Sequence, residues 1–454
     1  MRLELLTAAI LATVTVTSAQ AATVPGEYLV KFKALPKTLA NYTTLTDDLA
    51  GAELELVSAK QNIVLVKPDA ANISNGDVIE RLLARKDVEH IQPNYRYRIL
   101  LHRPTKSKNV AIELPMPRLF SAPTTIETQS AAKKDPLMKH DRDIDLANAR
   151  GAWKVTRGSH DVVVAVLDTG VDHQHEDLAA NMWHDPSDSS IVGWDFVSND
   201  NNPYDLLGAG NPGHGTHCAG NVGAVGQNGV GTSGIAQEVS LMALRVLDEN
   251  GYGETAWGMQ AIDWAVENGA HIISASWGSS GLTDEDLLMK EAIARAQAKG
   301  ILFVAAAGNT SSDDPDDADN DNNPNARTYP ASFDLPNIIS VAASNQKGKL
   351  ADFSHFGAKM VHLAAPGERS FSTVPNANKY EDIAEMNGIK VSWDGTSMAA
   401  PQVAGAAALL LAKHRNWDYT QIKKRLLETV RPVSTMKGKV ATGGVLDVSE
   451  ALRD

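Results

Sequence analysis

From Asp135 onward the chain alternates short, almost wholly apolar segments with amphipathic stretches. The apolar segments read "DVVVAVLD" (161–168), "VSLMALRVL" (239–247), "HIISASWG" (271–278), "ILFVAAAG" (301–308) and "IISVAA" (338–343). A strand that is apolar on both faces has to be covered on both faces, and helices connecting such strands provide the cover. The pattern predicts an α/β unit with a buried parallel sheet, and it puts ligand chemistry at the carboxyl ends of the strands. With 454 residues, 43% of them hydrophobic, the chain can bury that core and build a smaller second unit.

The second unit precedes the first. "EYLVKFK" (27–33), "AELELVS" (52–58), "NIVLVKP" (62–68) and "VEHIQPNYRYRI" (88–99) read as strands, and "DVIERLLARK" (77–86) has helical spacing. A second helix over 37–50 completes the order β-α-β-β-α-β of a small ferredoxin-like α+β domain, given the bounds 22–101. Residues 102–134, rich in Pro, Ser, Thr and Lys, form an exposed, cuttable linker, and 135–454 form the large domain. The first 21 residues have the layout of a signal peptide: Arg2, an apolar stretch from Leu5 to Val16, then small residues ending at Ala21. Export to the periplasm or outside the cell is expected. The other long apolar runs, 300–308 and 405–412, are too short to span a bilayer. Cys218 is the only cysteine, which excludes an intramolecular disulfide. The net charge of -13, without any block of Lys or Arg, argues against nucleic acid or anionic lipid as a partner.

"VAVLDTGVD" (164–172) contains Asp-Thr-Gly, which two unrelated peptide-cleaving chemistries use. A pair of carboxylates sharing one proton needs two such loops on β-rich lobes. Here there is one, and "WDGTS" (393–397) has the wrong order. A serine nucleophile needs a histidine base, an acid to orient it, donors for an oxyanion and a serine on a sharp turn. Asp168 at the end of "VVVAVLD", His214 in "GNPGHGTHCAG", Asn309 after "ILFVAAAG" and Ser397 in "DGTSMAAPQVAG" supply all four. Any one of these residues alone reads equally well as a turn former or a helix cap.

Together, in the order Asp, His, Asn, Ser, the motifs "VAVLDTGVD", "GHGTHCAG", "AAAGN" and "GTSMAAPQVAG" resemble the subtilisin-like (subtilase) serine proteases, from about Gly151 to the end. The resemblance implies Ser397 as nucleophile, His214 as general base, Asp168 as its orienting acid and Asn309 in the oxyanion hole. It implies a broadly specific endopeptidase whose protein and peptide substrates add as a strand between Gly251-Tyr252-Gly253 and Ser276-Trp277-Gly278. It also implies that the 22–101 domain is an inhibitory propeptide and folding assistant, with self-cleavage between Leu101 and Asp135. Structural Ca²⁺ is implied at Asp177 and Asn228 with the carbonyls of Gly226 and Val230, and oxygen ligands on a Gly-rich loop suit that ion. His217 is read as structural, Gln402 stands where the family commonly carries histidine, and "GGVLDVSEAL" (443–452) is expected to be the closing helix. The acidic run 311–325 lacks the spacing of an EF-hand and reads as a solvated insertion. Cys218, four residues after His214, is expected to make the site sensitive to mercurials without being catalytic, and a monomer is expected.

Overall fold

The computed structural model describes residues 23–35, 45, 46, 48, 49, 51–69, 74–102, 133–281, 285–312 and 314–454. The signal segment, most of the linker and most of the helix expected over 37–50 lie outside the described residues.

The N-terminal unit contains strands β1 (Thr23–Phe32), β2 (Glu53–Ser58) and β3 (Ile63–Lys67), helix α1 (Asn75–Ala84) and strand β4 (Val88–Ile99). All its pairings are antiparallel, and the strands lie in the order β2-β3-β1-β4 expected of a ferredoxin-like sheet. Ser74 starts α1 by accepting the Asp77 N–H at 3.2 Å. Val78 and Leu82, one turn apart, bury against Val30, Phe32, Val64 and Val66, with Leu45 and Leu49 in the same core.

The large domain contributes β5 (Gly158–Asp168), β6 (Gly193–Asp195), α2 (His214–Gly223), β7 (Glu238–Arg245), β8 (Tyr252–Glu254), α3 (Thr255–Glu267), β9 (Ile272–Ala275) and β10 (Trp277–Ser280). It continues with α4 (Leu287–Ala298), β11 (Leu302–Ala306), β12 (Thr328–Tyr329), β13 (Ile338–Ser344), β14 (Leu363–Pro366), α5 (Thr396–Lys413) and α6 (Tyr419–Glu428). The parallel sheet runs β6-β7-β5-β9-β11-β13-β14 and is extended by Gly444–Val445 and, antiparallel to that, Arg431–Pro432. Side chains of β5 alternate between two cores, as the pleat requires. Val162, Val164 and Val166 meet α2 and α5 through Ala219, Val222, Ala404 and Leu409. Val163, Ala165 and Leu167 meet α3 and α4 through Met259, Ile262, Ala292 and Ile293. The predicted closing helix is shorter than expected: Gly444 and Val445 extend the sheet, and only Val448–Ala451 is helical.

Strand β4 belongs to both units. Its first part pairs with β1 as far as Tyr95, whereas Arg96–Arg98 pair antiparallel with β8, and Arg98 and Ile99 pair with β10. The end of the small domain is thus a strand inserted between two edges of the large one, and it points at the carboxyl ends of β5, β9 and β11.

Candidate active site

Asp168 is the last residue of β5, and His214 opens α2. They meet because Gly215 lets the helix close onto the strand end: a Cβ there would stand 2.0 Å from the Gly170 carbonyl. His214 Nδ1 lies 2.7 Å from Asp168 Oδ1, both residues are buried, and His214 Nε2 has no hydrogen-bond partner. A carboxylate on Nδ1 fixes the tautomer that leaves Nε2 free to take a proton.

Ser397 lies in the first turn of α5. Its Oγ donates to the Ser276 carbonyl at 2.6 Å and accepts the Leu100 N–H at 3.2 Å, while its own carbonyl accepts the Ser276 hydroxyl at 2.9 Å. Asn309 is held by Oδ1, which accepts the Thr396 N–H and hydroxyl, each at 3.0 Å, and its Nδ2 donates to the Leu100 carbonyl. Gly395 makes room for that carbonyl, since a Cβ at this position would stand 2.4 Å from the Leu100 oxygen. The arrangement places the Leu100 carbonyl against a fixed amide donor and the Leu100 N–H against the Ser397 hydroxyl, while Ser397 Oγ and His214 Nε2 are not hydrogen-bonded to each other.

The two edge segments named from the sequence flank this peptide. Tyr97 pairs with Gly253 and Arg98 with Tyr252; the Gly251 carbonyl accepts the Ile99 N–H at 3.0 Å; Trp277 pairs with Ile99 and Gly278 with Arg98. Trp277 is 1% exposed, and its indole donates to the Leu167 carbonyl at 2.8 Å, which ties this edge to β5. Leu100 packs beside Gly278, and Leu100 and Leu101 are both buried. The peptide group at Asn309 is therefore that of Leu100, just ahead of the 102–134 segment in which the sequence pointed to processing.

Several residues that shape the site carried no signal in the sequence. Asp205, buried, accepts from Thr169 Oγ1, Asn211 Nδ2, Thr216 N and Thr216 Oγ1 at 2.7 to 2.8 Å, which joins the segment after Asp168 to the start of α2. Asp143 accepts from Ser370 and from Gln402 Nε2 at 3.1 Å, so the unusual glutamine has a charged partner. Burial pushes the Asp143 carboxyl up, and burial together with the facing Asp143 carboxylate pushes the Asp141 carboxyl up. His217 stacks on Trp393 at 4.0 Å and shares a hydrogen bond with the Ser370 carbonyl. Burial and the neighbouring His214 hold its imidazole down at about 3, so it is neutral at ordinary pH. Cys218 Sγ lies 3.8 Å from His214 Nδ1 and donates to the Ser397 carbonyl at 3.4 Å, and burial pushes its thiol well up.

Asp177 is fully buried and receives Asn228 Nδ2 at 2.7 Å and Thr232 N at 3.0 Å. Gly226 and Val230 lie in the same loop, and the Val230 N–H donates to Asn228 Oδ1 at 2.7 Å. Asp135, which the sequence did not single out, braces the loop by accepting the N–H groups of Gln227, Asn228 and Gly229. Among the described residues no cation pairs with Asp177, and burial pushes its carboxyl up to about 7. A buried, uncompensated carboxylate beside an amide that can turn its oxygen inward is an oxygen donor set, and that set fits a hard cation. The acidic run is anchored rather than wholly solvated: Asn320 is buried with Nδ2 on the Ala307 carbonyl at 3.1 Å, and Asp321 accepts the Lys359 and Met360 N–H groups.

A sheet of this order, with an Asp-His pair and a serine at the carboxyl ends of its strands, defines a serine-peptidase scaffold of the subtilisin-like class. The profile of the subtilase family matches residues 159–446, and the chain belongs to that family. It is 37% identical over 284 residues to the thermophilic serine proteinase of Bacillus sp. (strain AK1), an alignment covering 62% of this chain and 60% of that protein. To thermitase of Thermoactinomyces vulgaris it is 37% identical over 265 residues, which is 58% of this chain and 80% of that one. The crystal structure of fervidolysin from Fervidobacterium pennivorans, a keratinolytic enzyme related to subtilisin, matches with a TM-score of 0.70 at 26% identity. That match covers 95% of this chain and 61% of the fervidolysin chain. Among the described residues no helix is long and apolar enough to cross a membrane.

Proposed function

We propose that the chain is an exported serine endopeptidase, made as a precursor that its own residues 22–101 inhibit and that it processes itself. The observation that carries this reading is the seat of Leu100: its carbonyl meets the Asn309 amide, its N–H meets Ser397 Oγ, and the preceding strand is paired on both sides. A product-like strand bound in this manner blocks the cleft against other peptides.

In the reaction, Ser397 Oγ turns from the Ser276 carbonyl to His214 Nε2, which takes its proton as the oxygen attacks the carbonyl carbon. Asp168 stabilises the imidazolium that forms. Charge on the carbonyl oxygen is met by Asn309 Nδ2 and the Ser397 backbone N–H, donors that need no reorganisation because Thr396 already fixes the Asn309 side chain. His214 then gives the proton to the leaving amine, and water repeats the sequence on the acyl-enzyme. For self-processing the first bond in place is Leu100–Leu101. Substrates held largely by backbone pairing give broad specificity.

Calcium is proposed as a structural ion. Asp177, Asn228 and the carbonyls of Gly226 and Val230 would hold it, with Asp135 bracing the loop. Its charge compensates the buried Asp177 carboxylate.

Treating the mature protein with a serine-directed fluorophosphonate tests the assignment. The expected result is label on Ser397 alone, located by peptide mass, together with loss of casein hydrolysis, while pepstatin has no effect. Pepstatin inhibition, or activity that survives full labelling of Ser397, contradicts it.

A further inference from the structure

Tyr97 is the fourth residue back from the Leu100–Leu101 bond. It is 2% exposed, its ring meets the Trp277 indole edge-to-face at 5.0 Å, and its hydroxyl donates to Asp286 Oδ2 at 2.5 Å. Asp286 caps α4 by accepting the Met289 N–H at 3.1 Å, and it is fully buried. Its other partners are the Thr255 hydroxyl at 2.7 Å and Gln92 Nε2 at 2.8 Å. Among the described residues no cation pairs with it.

These four donors divide between the two domains. Thr255 and Met289 stay with the large domain, whereas Tyr97 and Gln92 leave with residues 22–101. The mature protein is then left with a half-satisfied carboxylate at the floor of the space that Tyr97 occupied against Trp277. An aromatic wall and an anionic floor one ring's length below it suit a side chain with a flat apolar body and a neutral donor at its tip.

Resting on the activity proposed above, we propose that Asp286 is a specificity-determining residue that selects tyrosine as the fourth residue before the cleaved bond. Within a broad range of extended segments held by backbone pairing, those with tyrosine at that place are cleaved fastest, and Tyr-Arg-Ile-Leu (97–100) is the chain's own copy. Phenylalanine there leaves the carboxylate without its third donor. An unmade hydrogen bond to a buried charged group lowers cleavage by roughly tenfold or more.

The test uses the mature protein and internally quenched peptides spanning residues 94–102, identical except for Tyr, Phe or Lys at position 97. The expected kcat/KM favours Tyr over Phe by about tenfold or more, with Lys below Tyr. In the Asp286→Ser variant, which keeps a side-chain cap for α4 but cannot reach the hydroxyl, the Tyr/Phe ratio falls toward one. Equal rates for Tyr and Phe in the unmutated protein overturn the inference without any variant, and faster cleavage of the Lys peptide shows that charge, not the hydroxyl, is selected. No cleavage of any peptide, with the same result for Ser397→Ala, is instead the failure of the proposed activity.

Discussion

Replacing Asp205 with asparagine changes one atom and is expected to loosen the whole site. Each carboxylate oxygen receives one hydroxyl, from Thr169 or Thr216, and one N–H, from Asn211 or from the Thr216 backbone. Hydroxyls can rotate to accept from a new NH₂ group, but N–H groups cannot. Whichever way the asparagine amide is turned, one buried donor loses its partner, at a cost of about 1–3 kcal/mol. The bonds that remain also lose the strength that charge lends them, on the order of 0.5–1 kcal/mol each. Relief of carboxylate desolvation offsets part of this, since burial pushes the Asp205 carboxyl up. A net loss of about 2–3 kcal/mol corresponds to a Tm lower by roughly 4–10 °C in a domain of this size. The assay is calorimetry at a fixed scan rate in the Ser397→Ala background, where self-digestion is excluded. In the active protein the same change lowers kcat more than KM, because Thr169 and Thr216 flank the two residues whose geometry it holds. A Tm within about 1 °C of the parent would refute the claim that this carboxylate joins the Asp168 and His214 segments.

The remaining predictions concern the ion, the thiol and the cleft. The Asp177 carboxyl, ordinarily near 3.8, is pushed up to about 7 in the folded chain, so the ion-free protein loses stability as pH rises from about 4 through 7. Calcium binds the ionised form; with ion removed from Ser397→Ala protein, added Ca²⁺ should raise Tm more at pH 8 than at pH 5, and Asp177→Asn should abolish the response. An equal response at both pH values counts against the site. Mercurials should inhibit through the buried Cys218 beside His214, so Cys218→Ser should stay active and lose the sensitivity; inhibition that persists places mercury elsewhere. Gly395→Ala puts a methyl group where the Leu100 carbonyl sits, and its precursor should remain uncleaved on a gel; normal maturation contradicts the seating of that carbonyl.

The centre of the sheet was legible because β5, β7, β9, β11 and β13 are nearly continuous apolar runs, whereas β6, β14 and the two short strands beyond it are too short to show such a pattern. The motif residues Asp168, His214, Asn309 and Ser397 fall at or near strand ends and helix starts where such a sheet puts chemistry. The edge segments "GYG" and "SWG" came from the family resemblance alone, and in the structure it is the chain's own residues 96–99 that pair with them. What the sequence could not display is partnership over long separations. Asp205 is one acid in a loop of Asn, Gly and Pro, and its role exists only once Thr169 and Thr216 converge on it. Asp286 reads as a helix cap, and nothing local connects it with Tyr97, 189 positions earlier. The closing helix was overestimated because Gly444 and Val445 have a second option, an open sheet edge, that a local pattern does not register.

The most direct test of the central claim is the fate of the precursor. The full chain and its Ser397→Ala variant would be produced side by side in a protease-free host and followed by intact mass and N-terminal sequencing. The account predicts that only the unmutated chain loses its N-terminal domain, with a first cut between Leu100 and Leu101 and any further trimming within 102–134, while the variant keeps residues 22–101 attached. Identical processing of both chains would contradict it.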